Sequence, residues 1–494
     1  MSRQSTCMAM GLMSVLVLAG LSCDRATAPP DPNDAPRTRI ANVPKDFDTV
    51  FALVTMNWSA GDDDGFIATY QYRYFTYHLA AGSTSDWVLF DSTDWADTSG
   101  TGAVIAFNST EALNKQRFLV RAVDNDGNTD PQPAEKIIYT LRTAAPVTQI
   151  LLPSRNGTVL VNTETTDWWP GVLLIFRATD PTKLGKIVEY AWSADDGPLT
   201  WTTDTSVYVT PEKFQQPLNG QHKLRVISRN NTNLTDPVGD SVIVNLIIPA
   251  FDKGVLIIDE TDEFNNPFVT LGTADSVTDA FYAEIFPGST SWDFKKSGMP
   301  PREVMAQYAL VVWHADDIPA SRPHKISEAA NIAIFTDYLK VGGKFLMSGW
   351  RILKSFAYYN NFPFTFTAGT FVYDYLHIRV VSETDILGDM SGGKGKTGSF
   401  SSFSVDSSRL QFFPYNGRLS QVNLITSMAG FTDILYSYEN DPSSPNVSYR
   451  GRAIALRYYG TVYDAVVLGF PMYFVKKDDA KVMAQEILQS LHVQ

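Results

Sequence analysis

The chain has 494 residues, 44% hydrophobic and 12% aromatic, with 27 prolines and 32 glycines. That length exceeds what one hydrophobic core can organise and predicts about three domains, and the proline and glycine content suits strands and turns better than helices. Lys and Arg total 40 against 53 Asp and Glu, a net charge of -13 that repels phosphate backbones and argues against nucleic acid as a partner.

The N-terminus carries the sharpest local signal. After Arg3, residues 8–21 form an uncharged apolar segment, too short to span a bilayer but of the length of a signal-peptide core. It ends in A-G-L-S-C, which resembles the bacterial lipobox, although Gly20 stands where Leu is more usual. The resemblance implies a lipoprotein signal peptide over residues 1–22, cleaved after Ser22, with Cys23 lipidated; a plain cleaved signal peptide is the alternative. Cys7 and Cys23 are the only cysteines, so the mature protein is expected to hold no disulfide, no cysteine metal site and no catalytic thiol. Residues 23–39 are proline-rich and polar and are expected to form a disordered tether. The expected location is the cell envelope, lipid-anchored to a bacterial membrane, at the outer membrane or surface.

Residues 40–144 show short alternating runs broken by turn residues, which predicts an antiparallel sandwich. The run FALVTMNW leads through SAGDDDG to FIATYQYRYF, and RFLVRAV leads through DNDGNTDP to KIIYTL. Trp58, the Tyr-rich central strand and the late hairpin resemble a fibronectin type III or immunoglobulin-like module. Residues 145–249 repeat the plan: KLRVISRNNTNLTDP echoes FLVRAVDNDGNTDP and ends on the same Thr-Asp-Pro. Two tandem modules are expected. The fold would bring the acidic loops of the first to one pole, with Asp62, Asp63 and Asp64 near Asp124, Asp126 and Asp130. Alternating acids and amides there match the front half of a calcium loop, but the same residues are demanded by tight turns, and no downstream Glu completes the pattern. Calcium at Asp62, Asp64, Asp124, Asp126 and Asp130 therefore stands beside a purely structural role. Trp168 and Trp169 could stack on sugar rings, or fill a core or a domain seam.

Residues 250–494 change grammar. KGVLIIDETD and ALVVWHADD are continuous apolar runs capped by acids, as buried parallel strands read. Ile332, Phe335 and Leu339 recur at helical spacing before the Gly342-Gly343 stop and the strand KFLMS, which is βαβ grammar. A last helix is predicted in DDAKVMAQEILQSL, with Ala480, Met483, Ala484, Ile487, Leu488 and Leu491 on one stripe. Late strands are expected in TDILYSY, GRAIALRYY and DAVVLGF. An open α/β sheet follows. YALVVW, DYLKVGGKFLMSGW and AVVLGFPMY look like the class I glutamine amidotransferase-like superfamily, which implies a flavodoxin-like fold. Carried over, the resemblance puts Ser348, Gly349 and Trp350 where the nucleophilic cysteine turn belongs, and Phe470, Pro471 and Met472 where His-Pro-Glu belongs. Only the proline matches, so amidotransfer is not expected.

In an open parallel sheet the carboxyl ends of the strands form the ligand crevice, which would gather Asp259, Glu260, His314, Asp316, Asp317, Ser348 and Arg351. Ser348, His314 and Asp316 are candidate catalytic residues, although no G-x-S-x-G surrounds the serine. Asp259, His314 and Asp316 could serve a metal hydrolase, but one histidine with scattered carboxylates is a thin ligand set. His324 and His377 are expected to serve packing or the surface. Three functions compete. The leading one is an envelope protein whose sandwich stalk presents a non-catalytic head for a protein or glycan. The others are a surface hydrolase acting on polysaccharide or peptide, and a structural component of a surface assembly, marked by an unpaired strand edge or exposed apolar patch.

Overall fold

The computed structural model describes residues 33–183, 185–261, 275–317, 323–396, 398, 400–411, 415–428 and 430–493. The apolar leader, Cys7, Cys23 and the tether as far as residue 32 lie outside the described residues. The described residues pack as two compact units, one drawn from Met1–Pro146, Asp180–Ile187 and Arg229–Thr235, the other from Val147–Thr179, Val188–Ser228 and Asp236–Gln494. No helix among the described residues is long and apolar enough to cross a membrane.

In the first unit a three-stranded and a six-stranded antiparallel-rich sheet form a sandwich. The strand Leu113–Asp124 alternates half-buried and buried residues along its length, the period of two that a half-buried sheet imposes. Trp58, Tyr70, Phe118 and Val120 meet in the core, and the Trp58 ring stacks on Phe118 with centroids 6.0 Å apart. The tether expected to reach Arg39 stops short of it. Arg37–Ile40 is a strand paired antiparallel with Leu53–Gly61, because Thr38 finds backbone and side-chain partners in the module.

The second unit begins with another sandwich, of sheets of three and five strands. Trp169 is buried there, and Trp168 lies edge-on against Tyr463, centroids 5.0 Å apart, and beside Tyr375 at 5.5 Å. Trp168 thus packs between the sandwich and the domain that follows it, whereas Trp169 bonds locally to Thr166.

That domain is built on a nine-stranded sheet. Its strands are β1 (Lys253–Asp259), β2 (Thr290–Asp293), β3 (Tyr308–Ala315), β4 (Lys344–Gly349), β5 (Gly392–Gly395), β6 (Phe403–Ser404), β7 (Thr432–Glu439), β8 (Ala453–Tyr459) and β9 (Asp464–Leu468), in spatial order β2-β1-β3-β4-β9-β8-β7-β5-β6. The strands β2, β1, β3, β4 and β9 run parallel. Beyond β9 every neighbour is antiparallel. The helices α1 (Asp275–Ile285), α2 (Ala329–Lys340) and α3 (Lys477–Ser490) belong to this domain. The central strand β3 is buried along nearly its whole length, which is why it reads as an unbroken apolar run. Along α3, Ala480, Met483, Ala484, Ile487 and Leu491 are buried in the core with Val255, Leu310 and Leu346, and Leu488 packs at its margin.

Candidate binding crevice

Parallel register brings three predicted residues side by side at the carboxyl end of the sheet. Asp259 lies opposite His314, and His314 opposite Ser348. The His314 ring is fully buried, with Nε2 3.4 Å from Asp259 Oδ1 and Nδ1 3.4 Å from Asp316 Oδ2. Both contacts are ion pairs without hydrogen-bond geometry, and among the described residues neither oxygen of the buried Asp316 has a hydrogen bond. The ring lies flat on Tyr282, centroids 3.7 Å apart and planes 11° apart. Burial works against charging His314, but Asp259 and Asp316 more than offset it and raise its pKa above the ordinary imidazole value.

The other predicted crevice residues are committed to the fold. Glu260 is buried and accepts from Trp313 Nε1 at 3.1 Å and from the Lys325 amide; burial raises its carboxyl despite His324 nearby. Asp317 follows Asp316 and is half-buried. Arg351, in the left-handed region at φ 58°, opens the short helix Ile352–Ser355 and forks onto Glu383, with Nε 2.5 Å and Nη2 3.1 Å from its two oxygens. Ser348 is fully buried in β4; its hydroxyl donates to Phe470 O at 3.1 Å and accepts from the Met472 amide at 3.1 Å. His324 is buried against Trp350 O at 2.7 Å, and His377 stacks on Tyr458 at 3.9 Å.

Three further residues complete the crevice and were not singled out from sequence. Asp275 and Asp279, four apart on α1, meet Asp259, with ligand oxygens of all three within 4.8 Å of one another. Tyr282 follows one turn later. Burial first, then Asp259, pushes Asp275 up to about 8, and the same causes raise Asp279. The legible signal was the spacing in DSVTDAFY: like charges at i and i+4 destabilise a lone helix, so such a pair requires a compensating partner.

The acidic loops of the first sandwich present the opposite picture. They do share one pole: Ile67 pairs with Asp124, and the Asn125 amide donates to Phe66 O at 3.1 Å. Asp124 accepts from the amides of Asp126 at 2.9 Å and Asn128 at 2.8 Å and from Asn33 Nδ2 at 2.8 Å. Asp130 accepts from the amides of Thr38 at 2.6 Å and Gln132 at 2.8 Å. Asp64 accepts from the Asp34 amide at 2.8 Å, and Asp126 is exposed. Burial tends to raise Asp124, but its donors outweigh burial and hold the carboxyl below the usual range. Asp62 is the exception, raised by burial and by Asp64, with neither oxygen hydrogen-bonded among the described residues. The second module reproduces the arrangement: Asp236 accepts from Thr148, Val238 and Gly239 amides, and Asn230 Oδ1 accepts from Thr232 and Leu234 amides as Asp124 does from its own turn.

No family model and no curated protein matches the chain. Among solved structures, it resembles fibronectin(III)-like modules of Clostridium thermocellum CbhA, 15% identical over 43% of this chain and 94% of that one, TM-score 0.20. The N-terminal four Ig domains of a Dscam1 isoform match at 14% identity over 44% of this chain and 48% of that one, TM-score 0.16. A bacterial ice-binding adhesin of 1.5 MDa matches at 10% identity over 46% of this chain and 73% of that one, TM-score 0.19.

Proposed function

We propose that the protein is a cell-envelope component, lipid-anchored at Cys23, whose two sandwich modules carry an α/β head of amidotransferase-like ancestry that binds an envelope protein or glycan instead of transferring amide nitrogen. One observation carries this. The positions that the resemblance equates with the nucleophile and the His-Pro-Glu element do meet, since Ser348 Oγ bonds Phe470 O and the Met472 amide, yet the residues there hold a structural contact where a thiolate and its base would stand. The Ser348 hydroxyl donates its proton to a backbone carbonyl, and among the described residues its hydrogen bonds run to backbone groups and not to the ring of His314 opposite it. Two experiments test the proposal. Fatty-acid labelling of wild type is expected to disappear in Cys23→Ala. Ser348→Ala is expected to leave unchanged whatever turnover the full chain shows on ester and glycan panels, and loss of such turnover would favour the hydrolase.

A second function, a structural component of a surface assembly, is favoured by a specific feature of the first sandwich. The terminal strand Trp87–Ser92 pairs, among the described residues, with Ile67–Leu79 alone, and exposes Val88, Leu89 and Phe90 at 52 to 56%. An exposed apolar edge strand is a template for pairing with another chain. Sedimentation of the full chain with and without Leu89→Lys distinguishes the two: an assembly that the substitution disperses supports this function, and a monomer throughout removes it.

A further inference from the structure

We propose that the outward face of the first sandwich is a binding surface for a carboxylated polysaccharide strand, whose anions are taken up by Arg73, Lys115, Arg117 and Arg121. These four come from two neighbouring strands, Ile67–Leu79 and Leu113–Asp124, and the antiparallel register sets them in file. Gln71 lies opposite Arg121, Arg73 opposite Leu119, Phe75 opposite Arg117 and Tyr77 opposite Lys115, so four successive rows of one face each carry a cation. The residues between them on Leu113–Asp124, Phe118 and Val120 among them, point into the core, which leaves the cations on the outer side. Such rows lie about 6.8 Å apart, giving a stripe about 20 Å long. The chain as a whole carries a net charge of -13, so the stripe is a local reversal of sign, complementary to a repeating anion.

Aromatic rings hold the guanidinium groups in place. Arg73 Cζ stands 4.3 Å from the centre of the Phe75 ring and 5.6 Å from that of Trp95, while Arg121 stands 4.3 Å from Trp95 and Arg117 5.7 Å from Phe75. Stacking of this kind fixes a planar cation without using its N–H donors, which stay available along its edge. Few of them are used within the chain. Arg117 pairs with Glu135 at 2.8 Å, and Arg121 Nε donates to Gln71 at 2.9 Å. Asp97, opposite Gln71, is held by the Gln71 amide. Arg73, half-buried, has neither hydrogen bond nor ion pair among the described residues, and its Nε is buried. A cation so placed carries a desolvation cost that an anionic partner removes. The same contacts select the class of polyanion. Single-stranded nucleic acid binds by stacking bases on free aromatic faces, and here Phe75 and Trp95 each already carry two guanidinium groups. A guanidinium edge matches a carboxylate with two parallel hydrogen bonds, and carboxylates borne on stiff sugar rings cost less to order than those of a flexible acidic peptide. The stripe lies in a sandwich module and is independent of what the head binds, so the anchoring and turnover tests above can fail without touching it.

The test titrates the full chain with polygalacturonate by calorimetry, with dextran, polyglutamate and oligo(dT) as comparators. Polygalacturonate is expected to bind more tightly than any of the three, and to weaken about tenfold between about 50 and about 200 mM NaCl. Arg73→Gln and Arg121→Gln are each expected to weaken binding at least about fivefold, with Arg73→Lys, which keeps the charge and loses the fork, falling between wild type and Arg73→Gln. Arg39→Gln removes the same charge from an exposed position on the other sheet and is expected to leave binding unchanged. Thermal melting checks that each variant remains folded, and Arg73→Lys and Arg121→Gln supply the comparison if Arg73→Gln does not fold. Absence of polygalacturonate binding, equal or tighter binding of dextran, polyglutamate or oligo(dT), indifference to salt, a loss in Arg39→Gln equal to that in Arg121→Gln, or full affinity in both Arg73→Lys and Arg121→Gln would each overturn the proposal.

Discussion

The two acidic regions of the molecule use the same residue to opposite ends. In the sandwich turns, Asp124, Asp180, Asp195 and Asp236 receive backbone or side-chain donors that outweigh the cost of burial and lower their pKa. At the crevice, burial and neighbouring carboxylates raise Asp275 and Asp279, and buried oxygens of Asp275 and Asp316 have no hydrogen bond among the described residues. A run such as DDDG or DNDG announces acids in sequence; donor supply decides whether they tie down a turn or repel one another. The second module makes the point directly, since neutral Asn230 performs the turn-anchoring bonds of Asp124.

Acid is the harshest way to break the contrast. A carboxyl lowered in the folded state contributes stability that is present above its unfolded pKa of about 3.9 and lost as pH falls through the folded value. The sandwiches are therefore expected to lose stability as pH drops below about 4, followed by tryptophan fluorescence, and Asp236→Asn to shrink that dependence. Unaltered acid sensitivity in Asp236→Asn would remove the turn acids as its cause.

A single truncation is the next strongest lever. Asp236→Ala strips acceptors from the amides of Thr148, Val238 and Gly239 and is expected to cost about 3 kcal/mol in urea unfolding. A loss below about 1 kcal/mol would mean water replaces the carboxylate. Asp279→Asn acts in the other direction, relieving like-charge repulsion and stabilising the chain by about 0.5 kcal/mol. Smallest of all, Asp126→Ala alters an exposed side chain of the same loop as Asp124 and is expected to change unfolding by less than about 0.5 kcal/mol. If Asp126→Ala rivalled Asp236→Ala, the division between anchoring acids and surface acids would fail.

Much of the fold was legible because burial leaves a period in the sequence. The alternation in Leu113–Asp124, the apolar run of β3 and the stripe on α3 each record which face meets the core. The antiparallel half of the nine-stranded sheet was less legible: TDILYSY and GRAIALRYY announce strands, but direction leaves no mark in residue pattern. Of the crevice, Asp259, His314 and Asp316 were visible as polar residues ending apolar strands. Asp275 and Asp279 were visible only as two acids four apart on a helix, which resemble a solvated face until it docks.

The chain by itself thus determined where cores form and which acids end strands or occupy turns, because these depend on local periodicity and turn chemistry. Tertiary structure alone decided which of those acids are satisfied. Hydrogen bonding and charge depend on what is packed opposite: Thr148 reaches Asp236 across 88 residues of chain, whereas Asp259 meets two more carboxylates and a buried imidazole.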